Sequence, residues 1–274
     1  MISSLWKICF ILSPVAISQG LTICQQNIVM KLTTEFENSV QNFQFDYCEG
    51  LDDGRGYTSG IIGFTTGTMD ANVVIKQYCA VKPKNLLCRY MPRLKQLDGF
   101  FLNGNGDPNS VKGLEGYCES WAIESKSPQF QAIQLNSLKS MYYSPSQRLA
   151  DRVGLKTPIG RGLFYDTAIQ HGPEGSGDSL EGMIDRMSVP GPFYALAPSK
   201  GGIEMRYIRA FLKFRKYALC NPQEPSYKEY WCQTLYRIES YQKLLDSSPF
   251  FTVSANALDN SGNPITISCY PRVI

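Results

Sequence analysis

Between Ile28 and Phe43 the apolar positions Ile28, Leu32, Phe36, Val40 and Phe43 recur at intervals of four, four, four and three. That is the stripe of an amphipathic helix. Glu35 and Glu37 flank Phe36 at the edge of the stripe. From Tyr47 to Met69 the pattern dissolves into a Gly- and Thr-rich stretch around Ile61, Ile62 and Phe64, which reads as a loop running into a short strand or hairpin. Helical spacing returns at Asp70 and runs through Val73, Val74 and Tyr78, with Asp70 placed to cap it. Gly104, Gly106 and Pro108 mark a turn cluster over Asn103 to Ser110.

Helical periodicity resumes between Pro128 and Val153, with an interruption expected near Pro145. Thr157-Pro158 is a helix start and Gly172-Pro173 a stop, which predicts one helix over Ile159 to His171. Gly175 to Gly177 is a loop, and a short helix follows around Met183. Ile203 to Leu219 predicts a long helix with Ile203, Tyr207, Phe211, Phe214 and Ala218 on one face and Arg206, Arg209, Lys213 and Lys216 on the other. Tyr227 to Leu245 predicts another, with Tyr227, Trp231, Leu235, Ile238 and Tyr241 in register. Apolar alternation around Asp259-Asn260-Ser261-Gly262-Asn263 closes the chain as a β-hairpin. The pattern as a whole is mostly helical, with a little sheet in the N-terminal third.

Composition changes this picture in one place. Lys7 precedes the apolar run Ile8 to Leu12 with Val15 and Ala16, and small residues follow at Ala16, Ser18 and Gly20. A short apolar core behind a weakly basic start is the form of a secretory leader, and it is too short for a membrane-spanning helix. Residues 1–20 are therefore expected to be a signal peptide, and 21–274 a secreted, extracellular single domain. Nine cysteines are present; Cys9 falls in the leader, which leaves an even set of Cys24, Cys48, Cys79, Cys88, Cys118, Cys220, Cys232 and Cys269. With no Cys-x-x-Cys pair among them, disulfides fit better than zinc. Cys79 with Cys88 and Cys220 with Cys232 are the short-loop pairings, and Cys24 with Cys269 would tie the ends together. A formal net charge of +3 without dense basic runs gives no reason to expect nucleic-acid or membrane partners.

Two segments carry candidate chemistry. One is Phe36-Glu37-Asn38-Ser39 on the opening helix; the other runs from Asp52-Asp53-Gly54-Arg55-Gly56-Tyr57-Thr58 to Gly63-Phe64. A carboxyl packed at the edge of an apolar face holds a proton more readily, which suits Glu37 as a general acid. A carboxylate on a solvated glycine loop beside Arg55 stays ionised, which suits Asp53 as a general base, and Thr58 offers a hydroxyl to hold a water. Glycosidic cleavage uses such a pair.

Together these segments closely resemble glycoside hydrolase family 46, the chitosanases of lysozyme-like fold. Fifteen residues separate Glu37 from Asp53. Gly67-Thr68-Met69-Asp70, Phe164-Tyr165-Asp166 through His171-Gly172-Pro173, and Phe211-Leu212 with Arg215-Lys216 extend the resemblance over most of the chain. It implies a mainly α, lysozyme-like α+β fold of two lobes, with a small sheet in the minor lobe and a catalytic cleft between them. It implies endo-hydrolysis of β-1,4-linked glucosamine in chitosan with inversion, by a monomer without cofactor or metal. Glu37, Asp53 and Thr58 fall on catalytic positions. Tyr47, Arg55, Asp70 and His171 fall on substrate-binding positions, and Asp166, Arg215 and Arg237 on a buried ion-pair network behind the acid. A related hydrolase of chitin or peptidoglycan, or an inactive secreted carbohydrate binder, remains open as an alternative.

Other sites fit poorly. An EF-hand ending at Asp52-Asp53 would need an oxygen ligand where Leu51 stands. His171, the sole histidine, has no Gly-x-Ser-x-Gly nucleophile to serve. Gly54-x-Gly56 lacks the third glycine and the preceding strand of a nucleotide loop.

Overall fold

The first helix, α1 (Ile23–Asn38), opens on a reciprocal cap: the Thr22 hydroxyl accepts from the Gln25 N–H, and the Gln25 side chain accepts from the Thr22 N–H. The computed structural model describes residues 20–51 and 54–269. All of the expected leader except Gly20, and Asp52 and Asp53, lie outside the described residues. Ile28, Leu32 and Phe36 bury as the stripe predicts. The helix stops short of Val40 and Phe43, because Ser39 turns left-handed at φ 57° while its N–H still reaches the Glu35 carbonyl. Val40 is exposed, and Phe43 packs edge-on against Phe45 instead.

The minor lobe begins with an antiparallel sheet of β1 (Cys48–Gly50), β2 (Tyr57–Ser59) and β3 (Phe64–Thr65), ordered β1-β2-β3. Cys48 pairs with Ser59 and Thr58 with Thr65. The β2–β3 turn requires glycine at Gly60: its φ is 73°, and a Cβ there would lie 2.5 Å from Gln134 Oε1 and 2.7 Å from the Trp121 ring. Behind the sheet come α2 (Asp70–Val81), α3 (Met91–Asn103), α4 (Tyr117–Glu124) and α5 (Pro128–Leu138). Trp121 is fully buried, with Tyr117, Phe64 and Phe130 around it. Its indole N–H donates to the Phe45 carbonyl at 2.9 Å, which satisfies its one polar atom.

The helical run from Pro128 breaks before Pro145, at a π turn over Lys139–Tyr143, and α6 (Ser144–Val153) then accepts Pro145 in its first turn, where no N–H is needed. The major lobe continues with α7 (Pro158–His171), capped by the Thr157 hydroxyl, then α8 (Leu180–Met187) and α9 (Glu204–Cys220). On α9 the predicted apolar face is buried except Ile203, and the four basic residues face solvent. The helix expected over Tyr227 to Leu245 is instead broken into a 3-10 turn, α10 (Lys228–Trp231), a second 3-10 turn over Cys232–Thr234, and α11 (Tyr236–Ser247). Cys232, within the broken stretch, is bridged to Cys220 at the end of α9. β4 (Ser254–Leu258) and β5 (Pro264–Ser268) form the closing hairpin, packed on α1 and α11.

Four disulfides join Cys24–Cys269, Cys48–Cys118, Cys79–Cys88 and Cys220–Cys232. The three pairings expected from spacing are among them. The buried apolar side chains of both lobes form one core cluster. No helix among the described residues is long and apolar enough to cross a membrane.

Candidate active site

A cleft of about 570 Å³ runs between the lobes. One wall comes from the minor lobe: Tyr47, Arg55, Thr58, Thr65, Thr68 and Asp70. The other comes from the major lobe and carries Glu37, Gln170, Tyr230, Trp231, Thr234 and Arg237, with Tyr142 from the π turn. The motif residues Glu37, Tyr47, Arg55, Thr58 and Asp70 thus share one space. Asp53, outside the described residues, follows Leu51 by two positions in sequence, and Leu51 lines the same cleft.

Glu37 sits in the last turn of α1 and is held from behind. Its Oε1 accepts from Arg237 Nη2 at 2.5 Å, Arg237 Nη1 reaches Asp166 Oδ1 at 3.0 Å, and Asp166 Oδ2 pairs with Arg215 Nη1 at 2.7 Å. Negative and positive groups alternate, and with Glu37 ionised the four charges sum to zero. Asp166 and Arg215 are fully buried and Arg237 nearly so, whereas the Glu37 side chain is 39 % exposed to the cleft. Isolated charges at that depth would be costly; pairing each with an opposite neighbour offsets part of the lost hydration. Burial opposes the charge on Arg237, but Asp166 and Glu37 outweigh it and push its pKa up. The apolar-edge setting expected for Glu37 is therefore replaced by a guanidinium contact. Phe36, one residue before it, supplies the apolar contact: its ring packs on Tyr236, its carbonyl accepts from the Tyr236 hydroxyl, and Arg237 lies over its ring at 5.4 Å.

Across the cleft Thr58 lies on β2, buried, and its Oγ1 has no hydrogen-bond partner among the described residues. A hydroxyl left open beside a polar cleft is a ready place for a bound water. Asp70 does not act as the cap of α2. Met69 holds that position in a left-handed conformation, φ 79°, which turns the chain so that Asp70 starts the helix. Its Oδ1 accepts from the Thr65 N–H at 2.8 Å and the Ala71 N–H at 3.0 Å, with the Thr65 and Thr68 hydroxyls alongside. Burial still wins over these bonds and raises the Asp70 pKa. Tyr47 donates to Glu49 at 3.2 Å.

His171 was expected on a substrate-binding position. It lies outside the lining of this cleft, in a second cavity of about 560 Å³ whose wall of Gln170 and Trp231 is shared with the first. Neither ring nitrogen has a hydrogen-bond partner among the described residues, and burial, reinforced by Arg215 and Arg237, drives its pKa well below that of an ordinary histidine. Its ring packs edge-on against Trp231 at 4.4 Å. The sequence reading missed Tyr142, Gln170, Tyr230, Trp231 and Thr234 as cleft residues. Tyr230 and Trp231 sat inside a stretch read as one continuous helix, where an aromatic counts as core.

Among the described residues no group of three or more His, Cys, Asp or Glu side chains is placed to hold a metal ion. The sequence profile of glycosyl hydrolase family 46 matches residues 31–248, most of the chain. The chain belongs to glycosyl hydrolase family 46. A chitosanase of Bacillus subtilis (strain 168) is 32 % identical to this family 46 chain over 228 residues, covering 83 % of it and 79 % of the relative. A chitosanase of Streptomyces sp. (strain N174) is 34 % identical over 198 residues, or 71 % of this chain and 66 % of that protein. Among solved structures, the family 46 chitosanase of Gynuella sunshinyii in complex with chitotetraose superposes with a TM-score of 0.78 at 31 % identity, covering 92 % of this chain and all of that one. A mutant chitosanase from Bacillus subtilis MY002 complexed with 6 GlcN gives the same TM-score at 30 % identity, covering 91 % of this chain and all of that one.

Proposed function

We propose that this family 46 glycosidase is a secreted, monomeric endo-chitosanase that cleaves β-1,4 linkages between glucosamine units with inversion, using Glu37 as general acid and Asp53 as general base. The observation that carries the reading is the chain from Arg215 through Asp166 and Arg237 to Glu37, which aims one carboxyl into an interlobe cleft. Relatives named as chitosanases, one holding chitotetraose, support the substrate class. The bonds that orient Glu37 hold it at a fixed point above the sugar path. Arg237 holds Oε1, so the proton given to the leaving oxygen is one carried on Oε2 by the protonated form of Glu37, which regains it from solvent after each turnover. Asp53 takes the proton of the attacking water, which the Thr58 hydroxyl helps to seat. Asp70 and Tyr47 line the path on the minor-lobe side, where a carboxylate suits the ammonium of a glucosamine unit. Four disulfides suit an oxidising compartment, consistent with removal of residues 1–20 and export of 21–274.

Reducing-end release from chitosans of graded acetylation, followed by NMR of the first anomer formed, tests the reading. The expected result is release that falls with acetylation, with the α-anomer appearing first. Preferential release from chitin or peptidoglycan would replace the substrate, and a β-anomer would replace the mechanism.

A further inference from the structure

Tyr230 stands on the rim of the cleft with 71 % of its surface exposed, next to a tryptophan that is tightly held. Trp231 is stacked on by Tyr227 at 4.6 Å with 19° between the planes, and the His171 ring meets it edge-on at 4.4 Å. His171 is buried, and that burial, with Arg215 and Arg237 nearby, holds its pKa well below that of an ordinary histidine. The segment that carries these rings has little regular structure of its own: α10 is four residues long, between two 3-10 turns. It is fixed from outside instead. At its start, Asp178 accepts from the Gln223 N–H at 2.7 Å and the Glu224 N–H at 3.3 Å. At its end, Cys232 is bridged to Cys220, and Thr234 accepts from Gln170 at 2.7 Å.

A short irregular strap bonded at both ends, with one aromatic riveted inside and its neighbour left bare at a polar cleft, is an arrangement for presenting a ring. The faces of a pyranose carry axial C–H groups, so an exposed aromatic is the protein surface that matches them, while carboxylates serve the ammonium and hydroxyl groups. We propose that Tyr230 is a specificity-determining residue that stacks on one sugar unit of the bound polymer. Trp231, His171 and the Cys220–Cys232 bridge are the positioning residues that set its place. This rests on the chitosanase reading and assigns His171 to holding the wall of the cleft.

The test is steady-state kinetics on chitosan with Tyr230→Ala, Tyr230→Phe and the double variant Cys220→Ser/Cys232→Ser. Tyr230→Ala is expected to raise KM by about five- to tenfold with kcat within twofold, and Tyr230→Phe to restore the wild-type value, since the ring and not the hydroxyl makes the contact. Removing the bridge is expected to raise KM in the wild-type background and to add nothing in the Tyr230→Ala background, as for two changes that act through one contact. Cys79→Ser/Cys88→Ser, remote from the cleft, is expected to leave KM unchanged. An unchanged KM in Tyr230→Ala, or failure of Tyr230→Phe to restore it, overturns the stacking role even where the bridge variant does not fold. An equal effect of bridge removal with and without Tyr230 overturns the clamp. Wild-type protein that releases no reducing ends would instead sink the chitosanase reading on which both depend.

Discussion

Arg237 touches Glu37 and Asp166 at once, and that double contact determines how the acid is held. Thr58 is the simplest single residue on which to separate function from stability. Its hydroxyl is buried with no hydrogen-bond partner among the described residues, so Thr58→Val removes a polar atom that none of them uses. Thr58→Val is expected to shift unfolding by less than about 1 kcal/mol while lowering kcat by about 10- to 100-fold, and Thr58→Ser to retain most activity. Matched urea melts and turnover rates check this; equal losses in both would make Thr58 a packing residue. Motif spacing made Glu37, Arg55, Thr58 and Asp70 legible as a group because the loop brings them near one another along the chain. The network that holds Glu37 was expected only through the family resemblance and not from the residues alone. Arg237 lies two hundred positions away, and a lone arginine on a helix looks like surface charge until Asp166 is seen between it and Arg215.

At the scale of elements, helix starts were easier to read than helix ends. Thr157-Pro158 fixes the start of α7 by local chemistry, whereas α1 ends at a left-handed Ser39 that an apolar count cannot detect. The strap before α11 was read as helix because its aromatics keep helical spacing, whereas its anchors, the Cys220–Cys232 bridge and the bonds to Asp178 and Gln170, come from distant parts of the chain. In the minor lobe a buried carboxyl joins α2, α4 and the turn after α2: Glu124 accepts from Tyr78 at 2.6 Å, Lys82 at 2.9 Å and the Leu86 N–H at 2.9 Å. Burial alone would raise its pKa, but these three donors together hold it below the ordinary 4.5. A lowered carboxyl pKa gives stability that is complete above the unfolded value and is lost as pH falls through the folded one. Melting temperature is therefore expected to drop as pH is taken below about 4.5, and to drop less steeply in Glu124→Gln, which starts from a lower value at neutral pH. Parallel slopes for the two proteins would remove Glu124 from the acid response.

For the whole molecule, two lobes meet at a cleft whose major-lobe wall joins residues from both ends of the chain. Glu37 near the start and Arg237 near the end must both be in place, and the Cys24–Cys269 bridge, with a sequence separation of 245, holds α1 and the closing hairpin together. Loss of such a long loop closure costs about 2–5 kcal/mol, so Cys24→Ser/Cys269→Ser is expected to lower the melting temperature by roughly 5–10 °C, read by calorimetry. An unchanged melting temperature would show that packing of the hairpin on α1 and α11 suffices. Chitosan hydrolysis by wild-type protein and Glu37→Gln, compared as initial rates of reducing-end release, tests the central claim most directly. Wild type is expected to release reducing ends steadily, and Glu37→Gln to bind chito-oligosaccharides yet lose about 1000-fold or more in kcat. A Glu37→Gln protein that hydrolyses chitosan at near the wild-type rate would contradict the account.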